Sequence, residues 1–243
     1  MDRTNAVSFK KVNKYYNDFH ALKDISFSIP RNSIVGLIGS NGSGKTTMIK
    51  CILNYYDDYL GEITIFGEKN KRIVQEDNTF AYIPDTAVYY EELTVNEHLD
   101  FISQMYKTER KVEKLIKDFE LDSHLNKFPH ELSKGNKQKL LICCALLRDY
   151  KLLIADEPFS GLDPRQINNL REKFIELKNK GNTIILSTHL LALIENLCDY
   201  YLMIDKGNLI GVGTIQEILA KTPNCKNLED LYLHLSEDGE EDE

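Results

Sequence analysis

The stretch GLIGSNGSGKTTMIK, residues 36–50, sets a cluster of glycines, a lysine and two threonines directly behind the apolar run that begins at Ile34. A short apolar run ended by Gly39 reads as a buried strand, and Thr46 to Leu53, which has no breaker, reads as a helix. Gly39-Ser40-Asn41-Gly42-Ser43-Gly44-Lys45-Thr46 thus matches glycine, four residues, then Gly-Lys-Thr, in the strand-to-helix setting of a phosphate-binding loop. Glycines let the backbone bend until successive N–H groups face phosphate oxygens, and the helix start adds partial positive charge. Lys45 is then placed for the β- and γ-phosphates, the Thr46 hydroxyl for Mg²⁺, and Thr47 for the same nucleotide. The ligand expected is a nucleoside triphosphate.

Outward from this loop the pattern is that of an α/β chain. Val7 and Phe9, and then Ile25, Phe27 and Ile29, alternate with polar residues and predict two half-buried strands joined by a turn-rich connection. GEITIFG (61–67) alternates again, and TFAYIP (79–84) is a strand stopped by proline. From about Thr94 to Leu147 the period becomes helical, with Val112, Leu115, Ile116 and Phe119 on one face. KLLIAD and NTIILST are strands separated by a helix lined by Leu170, Phe174 and Leu177. YYLMIDKGNLIGVG folds back with Asp205 to Asn208 as its tip. Such alternation predicts a mainly parallel sheet covered on both faces.

KLLIADEP ends its strand with Asp156 and Glu157, two carboxylates at the strand edge where open α/β sheets hold ligands. Asp156 is expected to orient Mg²⁺ through its water shell, and Glu157 to polarise a water for in-line attack on the γ-phosphorus. A plain turn or helix cap uses the same residue types; the apolar run before the pair and Pro158 after it argue against that reading.

LSKGNKQK (132–139) then makes the chain resemble the ATP-binding-cassette (ABC) ATPases, a likeness that extends to about Lys221. Leu132, Ser133 and Gly135 match the family's signature, whereas Lys134 and Asn136 stand where glycine and glutamine are common. The resemblance implies a P-loop NTPase (RecA-like) core with an N-terminal antiparallel β-subdomain and an inserted α-helical subdomain over approximately 86–150. Residues 1–221 would form the nucleotide-binding domain and 222–243 a C-terminal extension with an acidic tail. ATP and Mg²⁺ are the implied ligands. The implied site is composite: Ser133 and the Gly135 N–H of one nucleotide-binding subunit close over the γ-phosphate held by a second, the pair being read as a homodimer. From the residues alone this is a helix start capped by Ser133, whose free N–H groups suit an anion.

SGLD (160–163) resembles the loop linking the two sites. His189 in LSTH resembles the switch histidine that contacts the γ-phosphate and steadies the water held by Glu157, although a strand-end histidine is by itself an ordinary surface or core residue. Tyr16 in NKYYNDFHALKD resembles the aromatic that stacks on adenine; Tyr15 and a purely packing tyrosine are the alternatives. After AYIP the family usually places a glutamine, and here the residue is Asp85. A carboxylate binds Mg²⁺ more strongly but is shorter and charged. Asp85 is expected to keep the metal-sensing role through a Mg²⁺-bound water, the alternative being a loop cap. Tyr89, Tyr90 and Leu93 fit either a docking surface for a membrane partner or the core of the helical subdomain. YIPDTAVYYEELTVNEHL resembles the corresponding stretch of the ATPase subunit of Ecs-type bacterial exporters.

Composition narrows the function classes. The longest apolar run, Leu140 to Leu147, is far short of the roughly 20 residues that cross a bilayer. The start MDRTNAVSFKKV lacks the features of a secretory signal. The expectation is a cytoplasmic protein, peripheral on the inner face of the membrane through an integral permease subunit. Five cysteines without metal-ligand spacing fit reduced thiols. Of the net charge of −8, six charges fall between Glu237 and Glu243, so the body lacks the basic stripe that nucleic acid demands. A transporter ATPase, exporting rather than importing, is the expected function. A soluble ABC-type ATPase acting on ribosomes or DNA and an ATP-gated interaction module are the alternatives.

Overall fold

The computed structural model describes residues 5–70, 79–86, 89–220, 222 and 225–237. The acidic run 238–243, Lys221, and Ala87 and Val88 of the expected docking stretch lie outside the described residues.

In chain order, β1 (Asn5–Tyr16), β2 (Phe19–Pro30) and β3 (Ile34–Ile38) precede α1 (Lys45–Ile52). β4 (Leu60–Ile65), β5 (Glu68–Lys69) and β6 (Phe80–Ile83) follow. Next come α2 (Val95–Tyr106), α3 (Val112–Asp118) and α4 (Lys134–Leu147), with short 3₁₀ turns between them. β7 (Leu152–Asp156), α5 (Pro164–Asn179), β8 (Thr183–Ser187) and α6 (Leu191–Ile194) lead to the hairpin β9 (Tyr200–Asp205) and β10 (Asn208–Gly213). α7 (Ile215–Leu219) and α8 (Leu228–Glu237) end the described chain.

Two sheets result. One is antiparallel, ordered β2-β1-β4-β5; the other is ordered β10-β9-β3-β8-β7-β6, parallel except for the β9–β10 hairpin. Every residue of β3, β7 and β8 is buried, as strands covered on both faces must be. Alternation sorts them into two cores. Val35, Leu37, Leu152, Ile154 and Ile185 pack with α1 and the antiparallel sheet. Ile34, Ile38, Leu153, Ala155, Ile184 and Leu186 pack with the helices of the opposite face, including Leu228 and Leu231 of α8.

Residues 10–24 are not a turn-rich connection: β1 and β2 pair as far as Tyr16↔Phe19 and turn on Asn17 and Asp18 alone, with Asn17 at φ 51°. Register shifts break the two-residue alternation, and Lys14 is buried inside the strand with its Nζ 2.9 Å from Asp58, so a polar-looking segment is sheet. The other hairpin turns where expected. Its tip is Lys206-Gly207, both at positive φ, as a two-residue turn requires.

Candidate active site

β3 delivers the phosphate-binding loop and α1 begins at its end. Gly39 is compelled by crowding: a Cβ there would lie 2.5 Å from the Ile204 carbonyl and 2.3 Å from Ser43 Oγ. Gly44 is compelled by its φ of 116°. The β9–β10 tip braces the loop, the Gly207 N–H donating to the Ser43 carbonyl at 2.9 Å. Lys45 is buried and its Nζ donates to the carbonyls of Gly39 (2.7 Å) and Ser40 (3.0 Å), folding the ammonium over the loop. Burial holds its pKa below the ordinary lysine value, with Glu157 and Asp156 pulling it back up. The buried Ser43 hydroxyl has no partner among the described residues.

The acidic pair sits opposite. Thr46 Oγ1 donates to Asp156 Oδ2 at 3.3 Å, and Ser187 donates to Asp156 Oδ1. Burial raises the Asp156 pKa above its ordinary value; the Ser187 hydrogen bond lowers it and repulsion from Asp85 adds to the rise. Glu157 adopts φ 48°, uncommon for a non-glycine residue, with its N–H on the Ser187 carbonyl at 3.0 Å. Its carboxylate accepts from Thr188 Oγ1 (3.0 Å) and the His189 N–H (3.1 Å), and faces His189 Nδ1 at 3.0 Å. A hydroxyl and clustered hard carboxylate oxygens from Thr46, Asp156 and Asp85 make a donor set that fits Mg²⁺.

A cavity of about 320 Å³ opens between the loop and the acidic pair; Gly39, Ser40, Ser43 and His189 are not among its lining residues. Asn41, Gly42, Gly44, Lys45, Thr46 and Thr47 line it together with Asp85, Asp156 and Glu157 and with Tyr16, Phe19 and Ala21. A cavity of about 400 Å³ lies apart, between α3 and α5; its Lys111, Lys173 and Lys180 are ion-paired with Asp149 and Glu176.

The geometry separates the two tyrosines. Tyr15 stacks on His20, with centroids 4.1 Å apart and planes 13° apart. Tyr16 lines the cavity, is 36% exposed, bonds Thr47 Oγ1 at 3.2 Å and has Lys14 Nζ 4.7 Å from its ring centroid. Phe19, 64% exposed beside it, was not singled out in the sequence, although it stands in the same NKYYNDF stretch. Ser187 and Thr188, which bond the acidic pair, adjoin His189 in LSTH and carry no spacing signal of their own.

Ser133 and Gly135 do not line the cavity. Ser133 caps α4, its Oγ accepting from the Asn136 N–H at 3.3 Å, while the Asn136 amide bonds His124 at 3.0 Å. Gly135 is pressed against the SGLD loop: a Cβ would lie 2.5 Å from the Gly161 carbonyl. Further along α4, Gln138 Nε2 donates to the Pro158 carbonyl at 3.2 Å, joining the helix to the acidic pair. Tyr89 is half-buried against the helical core, with its hydroxyl on the Lys137 carbonyl at 2.8 Å. Tyr90 is exposed and packs edge-on to Phe101.

Fold and loops together define an ATP-binding cassette of the P-loop NTPase class. The family model described as ABC transporter matches residues 22–160. The chain is 40% identical to the ABC-type transporter ATP-binding protein EcsA of Bacillus subtilis (strain 168), over 96% of this chain and 97% of that protein. It is 31% identical to the Nod factor export ATP-binding protein I of Rhizobium etli, over 92% of this chain and 73% of that one. A solved structure titled as the ATP binding subunit of an ABC transporter superposes with a TM-score of 0.87 at 38% identity, covering 95% of this chain and 99% of that one. A nucleotide-free ATP-binding cassette superposes at 0.76 with 25% identity, covering 93% and 98%. The chain belongs to the ABC transporter family, as an ATP-binding, ATP-hydrolysing subunit. No helix among the described residues is long and apolar enough to cross a membrane.

Proposed function

We propose that this subunit hydrolyses ATP with Mg²⁺ to drive export through a separate integral membrane permease, seated on the cytoplasmic face and working as a pair of nucleotide-binding subunits. The observation that carries the reading is the convergence of Lys45, Thr46, Asp156 and Glu157 on one cavity from which Ser133 and Gly135 are absent. A site with its phosphate cradle and base in place, and its anion-binding helix start elsewhere, is completed by the α4 N-terminus of a second copy. The Rhizobium etli relative's name as a Nod factor export protein supports the direction.

In this reading the loop amides and Lys45 hold the β- and γ-phosphates, with Tyr16 against the adenine. Thr46 and Asp156, with Asp85 through a water, would hold Mg²⁺, which when bound neutralises phosphate charge. Glu157, oriented by Thr188 and His189, takes the proton of the attacking water. Exposed Tyr90 belongs to the surface that meets the permease. Co-purification separates this from the alternatives: recovery with an integral membrane protein is expected, and co-sedimentation with ribosomes instead would contradict it.

A further inference from the structure

The C-terminal helix reaches the phosphate-binding loop. The Ser40 backbone N–H donates to the Tyr232 hydroxyl at 2.7 Å, across 192 residues of sequence. Ser40 is a junction: its side chain donates to Asp205 at 3.2 Å, and its carbonyl accepts from the Ser43 N–H at 3.2 Å and from Lys45 Nζ at 3.0 Å. Its hydroxyl and carbonyl thus tie the loop to the β9 end and to itself, and its N–H ties it to α8. That helix is anchored well enough to serve as a fixed point. Leu228 and Leu231 are buried in the larger core, and the Leu228 N–H donates to Glu195 at 2.9 Å.

We propose that Tyr232 is a positioning residue of the nucleotide site, holding Ser40 and, through the Ser40 carbonyl, the Lys45 ammonium. The physical basis is preorganisation: a loop already fixed in its bound shape loses less freedom when phosphate arrives. The N–H taken by Tyr232 is also withdrawn from the set that could turn toward phosphate, which fixes the orientation of the peptide entering the loop. Nucleotide affinity is thereby linked to the docking of α8. The inference rests on residues 39–46 being the nucleotide site.

Tyr232→Phe tests it, because the ring and its packing stay while the acceptor goes. Two readouts apply to the full chain: exchange of the Ser40 amide proton by NMR, and the Kd for ATP and for ADP. Faster Ser40 exchange, with both Kd values raised ~5-fold, the effect of one neutral hydrogen bond, and kcat within about twofold, supports the proposal. Ser40 exchange and both Kd values unchanged would overturn it, as would a fall in kcat with Kd unmoved. If the wild-type chain bound no nucleotide, the functional reading would fail, and Ser40 exchange would still judge the contact. Lys45→Ala, expected to lose ATP binding whether or not Tyr232 is intact, separates the two failures.

Discussion

Glu157 and His189 are joined twice: the His189 backbone N–H donates to Glu157 Oε1 at 3.1 Å, and the His189 Nδ1 lies 3.0 Å from the same oxygen. The backbone contact and Thr188 orient the carboxylate whatever the residue at 189, so the ring is free to serve the reaction. His189→Ala should lower kcat by ~10²-fold, the low end for loss of a positioned acid–base partner, and leave the Kd for ATP within about threefold. Phosphate-release kinetics beside nucleotide titration would show this. A parallel loss of affinity would make the ring a binding group instead.

Gly135→Ala places a methyl 2.5 Å from the Gly161 carbonyl, which cannot yield as a flexible side chain would. The signature helix and the SGLD loop must part, at about 1–3 kcal/mol of stability, or ~2–4 °C in Tm for each kcal/mol. Turnover should fall while a single subunit binds ATP normally, because Gly135 is outside that subunit's cavity. Weakened binding by the monomer would contradict the placement of Gly135.

Asp156 makes stability and Mg²⁺ binding depend on pH. Its pKa is raised by burial above the ordinary 3.8, so in the window from 3.8 upward the folded chain keeps a proton that the unfolded chain gives up. This group therefore stabilises the fold less as pH rises through that window, and above it opposes folding. Mg²⁺ favours the carboxylate, so at a pH inside that window binding of MgATP should expel the proton. Calorimetry in buffers of different ionisation enthalpy should find the release in wild type and not in Asp156→Asn. The variant should also melt a few degrees higher without nucleotide at neutral pH; a lower Tm would show the charge to be stabilising.

Asp85 lines the cavity and adds to the repulsion that raises Asp156. Asp85→Ala should raise the Mg²⁺ concentration for half-maximal ATPase activity by ~10-fold, the scale of losing an outer ligand partner. An unchanged magnesium dependence would leave Asp85 as a loop residue only.

Local chemistry explains what was legible. The loop, the acidic pair and the buried strands announce themselves within a few residues, because glycine crowding, strand burial and strand-end carboxylates leave compact patterns. Residues 10–24 misled because register shifts and the buried Lys14–Asp58 pair disrupt alternation. Tyr15 and Tyr16 could not be separated, since only the fold sets one ring on His20 and the other in the cavity. Contacts such as Ser40 with Tyr232, or Gly135 with Gly161, join distant segments and leave no periodic trace.

In the proposed assembly two copies sandwich the nucleotide. Size-exclusion chromatography with light scattering on Glu157→Gln tests it directly, because that variant keeps the phosphate cradle and loses the base, by ~10²-fold or more in turnover. Dimers that form with ATP and dissolve with ADP are the predicted result. A chain that binds ATP and remains a monomer, with or without Mg²⁺, would contradict the account.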